Sequence, residues 1–228
     1  MAPTPKQRRL TTNWPVVREQ LPPPPAAVID VGCGSLGGFV PMLLEQGWSA
    51  IGIDPESPPG PDYRATTFED YQPPEPVEAV VASMSLHHVH DVGDMLDQVA
   101  ASLVPGGTVV VLEWAWERFD DATAQWCFAR LAPPATEEEE GWLHHHRVRW
   151  TESGLPWPDY WREWTTEEGL HPGAGIVSAL DARFERQASS YGPHFHPELD
   201  ATDRGEEIDA IAAGTIRASG ITWVGGRL

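Results

Sequence analysis

Apolar runs of strand length alternate with helical patterns between residues 26 and 114 of the chain. In order they read AAVIDVG, FVPMLLEQG, SAIGID, VEAVVAS, DVGDMLDQVAASL and GTVVVLEW. This alternation predicts βα units and therefore a parallel sheet. Val28–Val31, Ala79–Ala82 and Thr108–Leu112 are almost continuously apolar, with Asp30 as the charged exception. Strands buried on both faces have this pattern, so we place these three in the interior of the sheet.

Beyond Trp114 the pattern becomes helical and aromatic. Eight of the eleven tryptophans lie between Trp114 and Trp164. The prolines Pro133 and Pro134 and the acidic run Glu137–Glu140 interrupt this region, which predicts an aromatic-rich helical insert at about residues 132–172. We expect four helices in this half of the chain, at about Asp120–Leu131, Pro158–Trp164, Gly173–Ala182 and Thr202–Ala213.

The two ends of the chain differ in pattern. Residues 1–20 are polar without a sustained period, and Pro22–Pro25 form a stiff spacer, so residues 1–25 are expected to be an N-terminal extension. Residues 26–228 are expected to form a single domain with the insert. Near the C-terminus the runs FERQASSYGPHF and RASGITWVGGR flank one helix without a further crossover, which predicts a terminal antiparallel strand pair.

Composition and charge narrow the functional classes. The 228 residues are 41% hydrophobic and 21% charged, and no stretch approaches the roughly 20 apolar residues that a membrane span needs. The net charge of −19 would repel phosphate backbones, so we expect no nucleic-acid partner and no membrane partner. Cys33 and Cys127 form no metal-binding spacing, and nothing resembles a secretion signal. A cytoplasmic protein is therefore expected, of undetermined oligomeric state.

A glycine-rich turn follows the first strand, and a carboxylate ends the second. Gly32 and Gly34 let the backbone bend sharply and approach a ligand closely. Asp54 follows SAIGID, 24 residues after Asp30, where a carboxylate can accept hydrogen bonds from ribose hydroxyls. The turn alone also fits dinucleotide-binding folds or a simple tight connection, and Asp54 could instead cap the next turn. Together the two signals favour an adenosine-containing ligand.

The ordered strings VIDVGCG, GIDPE, FEDY, VVASMSLHHV and LVPGG resemble the small-molecule branch of the class I S-adenosylmethionine (SAM)-dependent methyltransferases. The resemblance covers residues 26–114 and the closing strands around 184–227. It implies a Rossmann-like, doubly wound α/β fold with a seven-stranded sheet that is mostly parallel and ends in an antiparallel hairpin. It also implies SAM as the cofactor.

The same resemblance implies roles for individual residues along the cofactor. Asp30, Gly32 and Gly34 would border the methionine half of SAM, and Asp54 would hold the ribose. Where the family usually has a third glycine, this chain has Leu36, followed by Gly37 and Gly38. Because of this departure, the contacts of Ser35, Leu36 and Gly37 stay open. The remaining implied contacts are Phe68 and Glu69 beside the adenine, and Ser83 facing the sulfonium.

Two histidines after the fourth strand are the candidate catalytic residues. Methyl transfer to a hydroxyl or a protonated amine needs a base, and histidine as a residue type titrates near the right pH. His87 and His88 follow the fourth strand, at the end of the sheet where ligands are expected. Both could instead be structural. The triple His144–His146 suggests a metal site, but adjacent residues point in different directions and no spaced ligand partner lies nearby, so we expect no metal.

The tryptophans of the insert are candidates for the acceptor pocket. Large rigid aromatics line apolar pockets and can stabilise a cation by cation–π contact. Trp114, Trp150 and Trp161 are therefore predicted to bind substrate, although the tryptophans could equally pack the inserted helices together.

These signals favour a methyltransferase that acts on an apolar or aromatic small metabolite, in specialised biosynthesis. Three alternatives stay open. The cofactor could be retained unreacted while the pocket catalyses another reaction, such as a cyclisation. The turn could serve a nicotinamide-dependent oxidoreductase, or the chain could be a noncatalytic interaction module.

Overall fold

A seven-stranded sheet forms the centre of the computed structural model, which describes residues 3–131 and 141–228. The strand order is β3-β2-β1-β4-β5-β7-β6. The strands are β1 (Ala27–Val31), β2 (Ser49–Ile53), β3 (Tyr63–Arg64), β4 (Val77–Ser83), β5 (Leu103–Trp114), β6 (Phe184–Gly192) and β7 (Gly220–Arg227).

Strands β1 to β5 are parallel to one another, and β7 runs antiparallel to β5. Asp30 of β1 lies between Gly52 of β2 and Val81 of β4, so the apolar runs pair in the interior of the sheet as expected. At one end of β5 the Ala115 N–H donates to the Ser219 carbonyl, and at the other end Arg227 donates to the Leu103 carbonyl. The pairing of β5 with β7 is therefore antiparallel, which confirms the predicted fold class.

The described residues contain eight α-helices: α1 (Pro5–Gln20), α2 (Val40–Glu45), α3 (Val92–Ser102), α4 (Asp121–Phe128), α5 (Trp142–Ser153), α6 (Trp157–Glu167), α7 (Gly173–Asp181) and α8 (Arg204–Ala212). Six of them lie within a few residues of limits predicted from the sequence, whereas no limits were predicted for α1 and α5. Single turns of 3-10 helix lie at Leu86–His88, Trp116–Arg118 and His196–Glu198. None of the helices in the described ranges has the length and apolar character needed to cross a bilayer.

Helix α1 lies in a part of the chain where the sequence pattern predicted no helix. Leu10, Trp14, Val17 and Leu21 follow one another at intervals of three or four residues, and they pack against the apolar core around Phe39. Most of the other positions carry polar residues, and Pro15 lies inside the helix, so the stripe is obscured in the sequence. The sequence pattern therefore gave no indication that residues before Ala26 form a helix.

The described residues form two compact units. The sheet unit consists of Arg9–Trp114, His171–Ser190 and Ile221–Leu228. The aromatic unit consists of the chain up to Arg8, Ala115–Leu170 and Tyr191–Gly220. The acidic run Glu137–Glu140 and the start of the predicted insert lie outside the described residues. The domain limits expected at residue 26 and around the insert stay predictions.

Candidate active site

A cavity of about 550 Å³ opens in the sheet unit where β1, β2 and β4 end. Open α/β sheets bind ligands at the carboxyl ends of their strands, and small-molecule sites commonly measure about 300–1,000 Å³. Six residues on the cavity wall matter for its chemistry: Gly32, Asp54, Phe68, Glu69, Ser85 and His88.

The turn after β1 brings backbone to the cavity wall. Gly32 has a φ of 75°, and its N–H donates to the Ile53 carbonyl at 2.8 Å, which ties the turn to the end of β2. A side chain at this position would overlap Ser85. Gly34 also has a positive φ, and a side chain there would meet open space. Gly32 therefore supplies the close backbone surface, whereas Gly34 lies beyond the cavity wall.

Asp30 lies beneath this turn. Its carboxylate is 1% exposed and accepts the Phe39 N–H at 2.6 Å. A side chain at Gly38 would overlap this carboxylate, so the absence of a side chain at Gly38 makes room for it. Burial raises the pKa of Asp30 to about 7, the Phe39 N–H opposes this rise, and the charge of Asp54 adds to it. Asp30 therefore stabilises the turn through its hydrogen bond with the Phe39 N–H. Leu36, at the position of the family's third glycine, is 43% exposed.

Asp54, Phe68 and Glu69 share the opposite part of the wall. Asp54 Oδ1 accepts the Glu56 N–H at 2.8 Å, so this carboxylate does cap the turn after β2. The capping uses one oxygen, and Asp54 lines the cavity at the same time. Phe68 is buried, and its carbonyl accepts hydrogen bonds from Gln98 Nε2 and the Tyr71 N–H. These contacts hold Phe68 in place beside Glu69, which is exposed.

The segment after β4 forms the third part of the wall. Ser83 is the last residue of β4, and the wall begins at the next residue, Met84. Met84 has a φ of 56°, an unfavourable conformation for a residue with a side chain, and its N–H donates to the Leu112 carbonyl at 2.8 Å. Ser85 Oγ is buried and finds no hydrogen-bond partner among the described residues. A strained residue and an unsatisfied hydroxyl on a cavity wall indicate a functional surface.

The two candidate histidines have different surroundings. His88 lines the cavity, whereas His87 is buried behind it, with Nδ1 2.7 Å from Glu113 Oε2. Burial alone would raise the pKa of Glu113, but His87 and two backbone N–H groups outweigh burial and hold this pKa below its usual value. The rings of His87 and His88 are 4.1 Å apart. The site therefore contains a histidine on the wall and a buried histidine–carboxylate pair beneath it.

A family model described as "Methyltransferase domain" matches residues 6–166. The match spans more than two thirds of the chain and includes β1 to β5 with the whole cavity wall. The chain belongs to this methyltransferase family. The family predicted from the sequence is thereby confirmed.

Curated relatives of this methyltransferase share only part of its length. A ubiquinone biosynthesis O-methyltransferase from Bradyrhizobium diazoefficiens is 36% identical over an alignment of 107 residues, with a coverage of 40% of this chain and 42% of the relative. A protein of the same name from Rhodopseudomonas palustris strain HaA2 is 35% identical over the same share of each chain. The chain thus aligns with less than half the length of these relatives.

Solved structures share the fold of the methyltransferase. An S-adenosylmethionine-dependent methyltransferase from Mesorhizobium loti superimposes with a TM-score of 0.57 at 18% identity, over 94% of this chain and 97% of that one. A geranyl diphosphate C-methyltransferase from Streptomyces coelicolor, solved with Mg²⁺, geranyl-S-thiolodiphosphate and S-adenosyl-L-homocysteine, gives a TM-score of 0.56 at 14% identity, over 96% of this chain and 76% of that one. At these identities the likeness establishes the fold.

The three predicted substrate-binding tryptophans of the methyltransferase lie in different settings. Trp114 is in the sheet unit, edge-on to His87 with ring centroids 6.2 Å apart. In the aromatic unit, Trp150 Nε1 donates to the Leu155 carbonyl and Trp161 Nε1 donates to the Trp116 carbonyl. Trp161 is 5% exposed and stacks on Trp157. Trp150 and Trp161 therefore have clear packing roles, and their contact with a substrate stays a prediction.

The histidine triple lies in α5 of the aromatic unit. His144 and His146 are buried and His145 is exposed, in keeping with adjacent positions on a helix. His146 Nδ1 is 2.7 Å from the Tyr160 hydroxyl. Within residues 3–131 and 141–228, no group of three or more His, Cys, Asp or Glu side chains is arranged to hold a metal ion.

Sequence reasoning missed Met84, Ser85 and Glu113. Met84 and Ser85 carry no pattern of their own, since their importance comes from a backbone conformation and from the contact with Gly32. Glu113, in contrast, could have been recognised from the sequence. It is a charged residue at the end of the apolar run Val109–Leu112, and a buried charge needs partners.

Proposed function

We propose that the chain is a SAM-dependent methyltransferase that transfers a methyl group to an apolar or aromatic small molecule. The observation that carries the proposal is that Gly32 and Asp54, each at the end of its own strand, line one cavity of suitable size. A backbone surface without a side chain and a carboxylate at the next strand end suit an adenosyl ligand, as the sequence pattern predicted.

The residues on the cavity wall fit this cofactor. Asp54 would accept hydrogen bonds from the ribose hydroxyls, and Phe68 and Glu69 would flank the adenine. Gly32 would lie against the methionine half, where the unsatisfied Ser85 hydroxyl gives a polar group for the ligand to satisfy. Asp30 would act from beneath the turn, and Gly34 and Ser83 would act from just outside the cavity wall.

SAM supplies a methyl group already activated by a sulfonium, so the main task of the chain is to align the acceptor and exclude water. Buried walls formed by Phe68 and Met95 serve the exclusion of water. For an acceptor hydroxyl or protonated amine, His88 on the wall can take the proton, with His87 behind it.

The acceptor class rests on composition and on the aromatic side chains near the site. A net charge of −19 disfavours nucleic-acid acceptors. Trp114 beside His87 gives an apolar surface, and Trp150 and Trp161 remain proposed substrate-binding residues. The partial match to ubiquinone biosynthesis O-methyltransferases supports a small aromatic acceptor. The two cysteines, both unpaired, support the further proposal of a cytoplasmic enzyme of specialised biosynthesis.

Calorimetry with SAM, followed by transfer of a labelled methyl group to a library of small phenols and amines, tests the proposal. Asp54→Ala is expected to weaken SAM binding about 10- to 100-fold, since hydrogen bonds to a charged group contribute about 1.5–3 kcal/mol. Glu45→Ala removes an exposed carboxylate from the end of α2 and is the matched control. SAM binding that is absent, or unchanged in Asp54→Ala, would refute the cofactor assignment. Binding without methyl transfer to any acceptor would favour the unreacted-cofactor alternative.

A further inference from the structure

Glu113 is a fully enclosed carboxylate with three hydrogen-bond donors around it. It is 2% exposed at the end of β5. Oε1 accepts the Leu86 N–H at 2.7 Å, and Oε2 accepts the Trp114 N–H at 2.9 Å and contacts His87 Nδ1 at 2.7 Å. Burying a carboxylate is costly unless it is fully hydrogen-bonded, and these donors supply that compensation. The pairing of Glu113 with His87 is therefore a buried, fully hydrogen-bonded contact and not an exposed surface ion pair.

The carboxylate determines which nitrogen of His87 carries a proton. An ionised carboxylate only accepts hydrogen bonds, so Nδ1 of His87 must be the donor. In the neutral ring, Nε2 is then the nitrogen with the free electron pair. A hydrogen bond at one ring nitrogen fixes both the tautomer and the orientation of an imidazole.

The same contacts hold the cavity wall around His88. Glu113 binds the backbone at Leu86, and the His87 carbonyl accepts the His171 N–H at 3.0 Å. The His171 ring reaches the Val89 carbonyl at 2.8 Å. The ring of His87 packs against the ring of His88, with centroids 4.1 Å apart. The placement of His88 in the wall therefore depends on a chain of contacts that starts at Glu113.

We propose that Glu113 is a positioning residue that fixes the Nδ1–H tautomer and the orientation of His87 and, through the contact between the two rings, places His88 in the cavity wall. The effect of Glu113 on catalysis rests on the proposed methyl transfer, whereas its effect on the tautomer and orientation of His87 does not. If Glu113 served stability alone, replacing it with an isosteric residue would change neither the tautomer of His87 nor the pH dependence of the reaction.

Nitrogen-15 NMR of the histidine side chains tests the structural part without any turnover. In the wild-type protein, neutral His87 is expected as the Nδ1–H tautomer, identified by its loss in His87→Gln. In Glu113→Gln, one amide oxygen faces three donors, so His87 is expected to lose its single tautomer. An Nε2–H tautomer in the wild-type protein would overturn the proposal, even if the variant failed to fold. An unchanged tautomer in Glu113→Gln would overturn it as well.

Steady-state kinetics test the catalytic part. Glu113→Gln is expected to lower kcat at least about tenfold and to shift the pH profile, with the Kd for SAM changed less than about threefold. Glu78→Gln is the matched control, because Glu78 accepts the Ala27 N–H where β1 begins, far along the strand from the cavity. A kcat within threefold of wild type, with an unshifted pH profile, would overturn the proposal. If wild-type protein shows the Nδ1–H tautomer but transfers no methyl group, the proposed function fails while the assignment of Glu113 to His87 holds.

Discussion

Asp30 and Glu113 show how neighbouring residues decide the charge of a buried carboxylate. Both lie in the sheet unit and both are almost completely enclosed. Asp30 accepts one backbone N–H, and its pKa rises to about 7, whereas Glu113 has three donors, and its pKa falls below the usual value. Burial favours the neutral acid in each case, but at Glu113 the charge of His87, the hydrogen bond from His87 and the two backbone N–H groups together outweigh burial. Asp30 is consequently a carboxyl group of the site that changes charge near neutral pH.

Replacing Asp30 with asparagine is expected to change the pH dependence of stability. A carboxyl whose pKa is higher in the folded state stabilises the fold below its ordinary pKa of 3.8, and this stability is lost as pH rises towards 7. Asparagine keeps an oxygen for the Phe39 N–H and carries no charge. The free energy of unfolding of Asp30→Asn relative to wild type should therefore be about 2–3 kcal/mol higher at pH 8 than at pH 5.

Urea denaturation followed by circular dichroism at the two pH values measures this difference. Glu45→Gln, an exposed carboxylate of the same unit, should show no such change and serves as the control. A difference between Asp30→Asn and wild type that is the same at pH 5 and pH 8 would contradict the raised pKa of Asp30.

At the scale of elements, the parallel strands could be predicted because buried strands are nearly pure apolar runs and the turns between them carry glycine and proline. Helix α1 escaped prediction because its stripe of Leu10, Trp14, Val17 and Leu21 is sparse and interrupted by Pro15. Sequence spacing also predicted the strand-end residues Gly32 and Asp54, which do line the cavity.

Other parts of the site could not be predicted from the sequence because they depend on contacts between distant segments. Ser85 matters because Gly32 brings backbone against it, and Glu113 matters because β5 pairs with β4 and places it beside His87. The pattern of residues within a short segment does not indicate which distant segment it will contact. The positive φ of Met84 likewise depends on the Leu112 carbonyl, which is 28 positions away in the sequence.

Helix α1 is expected to contribute substantially to the stability of the sheet unit. Trp14 stacks on Phe39, with ring centroids 6.3 Å apart, and meets the Trp48 ring edge-on at 6.2 Å. Trp14→Ala should lower the free energy of unfolding by about 2–3 kcal/mol, at the low end for a buried aromatic because Trp14 is only partly buried. Thermal unfolding followed by circular dichroism should show a Tm about 5–10 °C lower.

Arg18→Ala gives the control for this measurement, since Arg18 is exposed on the same helix. It should leave the Tm within about 2 °C. A Trp14→Ala variant as stable as Arg18→Ala would show that α1 does not contribute to the core in solution.

At the scale of the whole molecule, the two units differ in the kind of core they have. The sheet unit buries aliphatic strands such as Val80–Ala82 of β4. The aromatic unit instead buries rings, with Phe119 in edge or tilted contact with Trp157, Trp161 and Phe195. Among these rings lies an ionisable one, His146, which is 3% exposed and surrounded by Trp142, Trp161 and Trp164. The aromatic unit should therefore be the more sensitive of the two to histidine protonation.

Acidification is expected to destabilise the aromatic unit through His146. Burial, and after it the positive charges of His145 and Arg149, lower the pKa of His146 from 6.5 to about 4. A histidine whose pKa is lower in the folded state stabilises the fold above its ordinary pKa, and this stability is lost as pH falls from 6.5 towards 4. His146→Gln can keep a hydrogen bond to Tyr160 without taking up a proton. Its stability relative to wild type should therefore rise by about 2 kcal/mol between pH 7.5 and pH 5. Urea denaturation at the two pH values measures this change. His90→Gln replaces an exposed histidine and serves as the control. If the stability of His146→Gln relative to wild type did not depend on pH, protonating His146 would carry no cost in the folded protein.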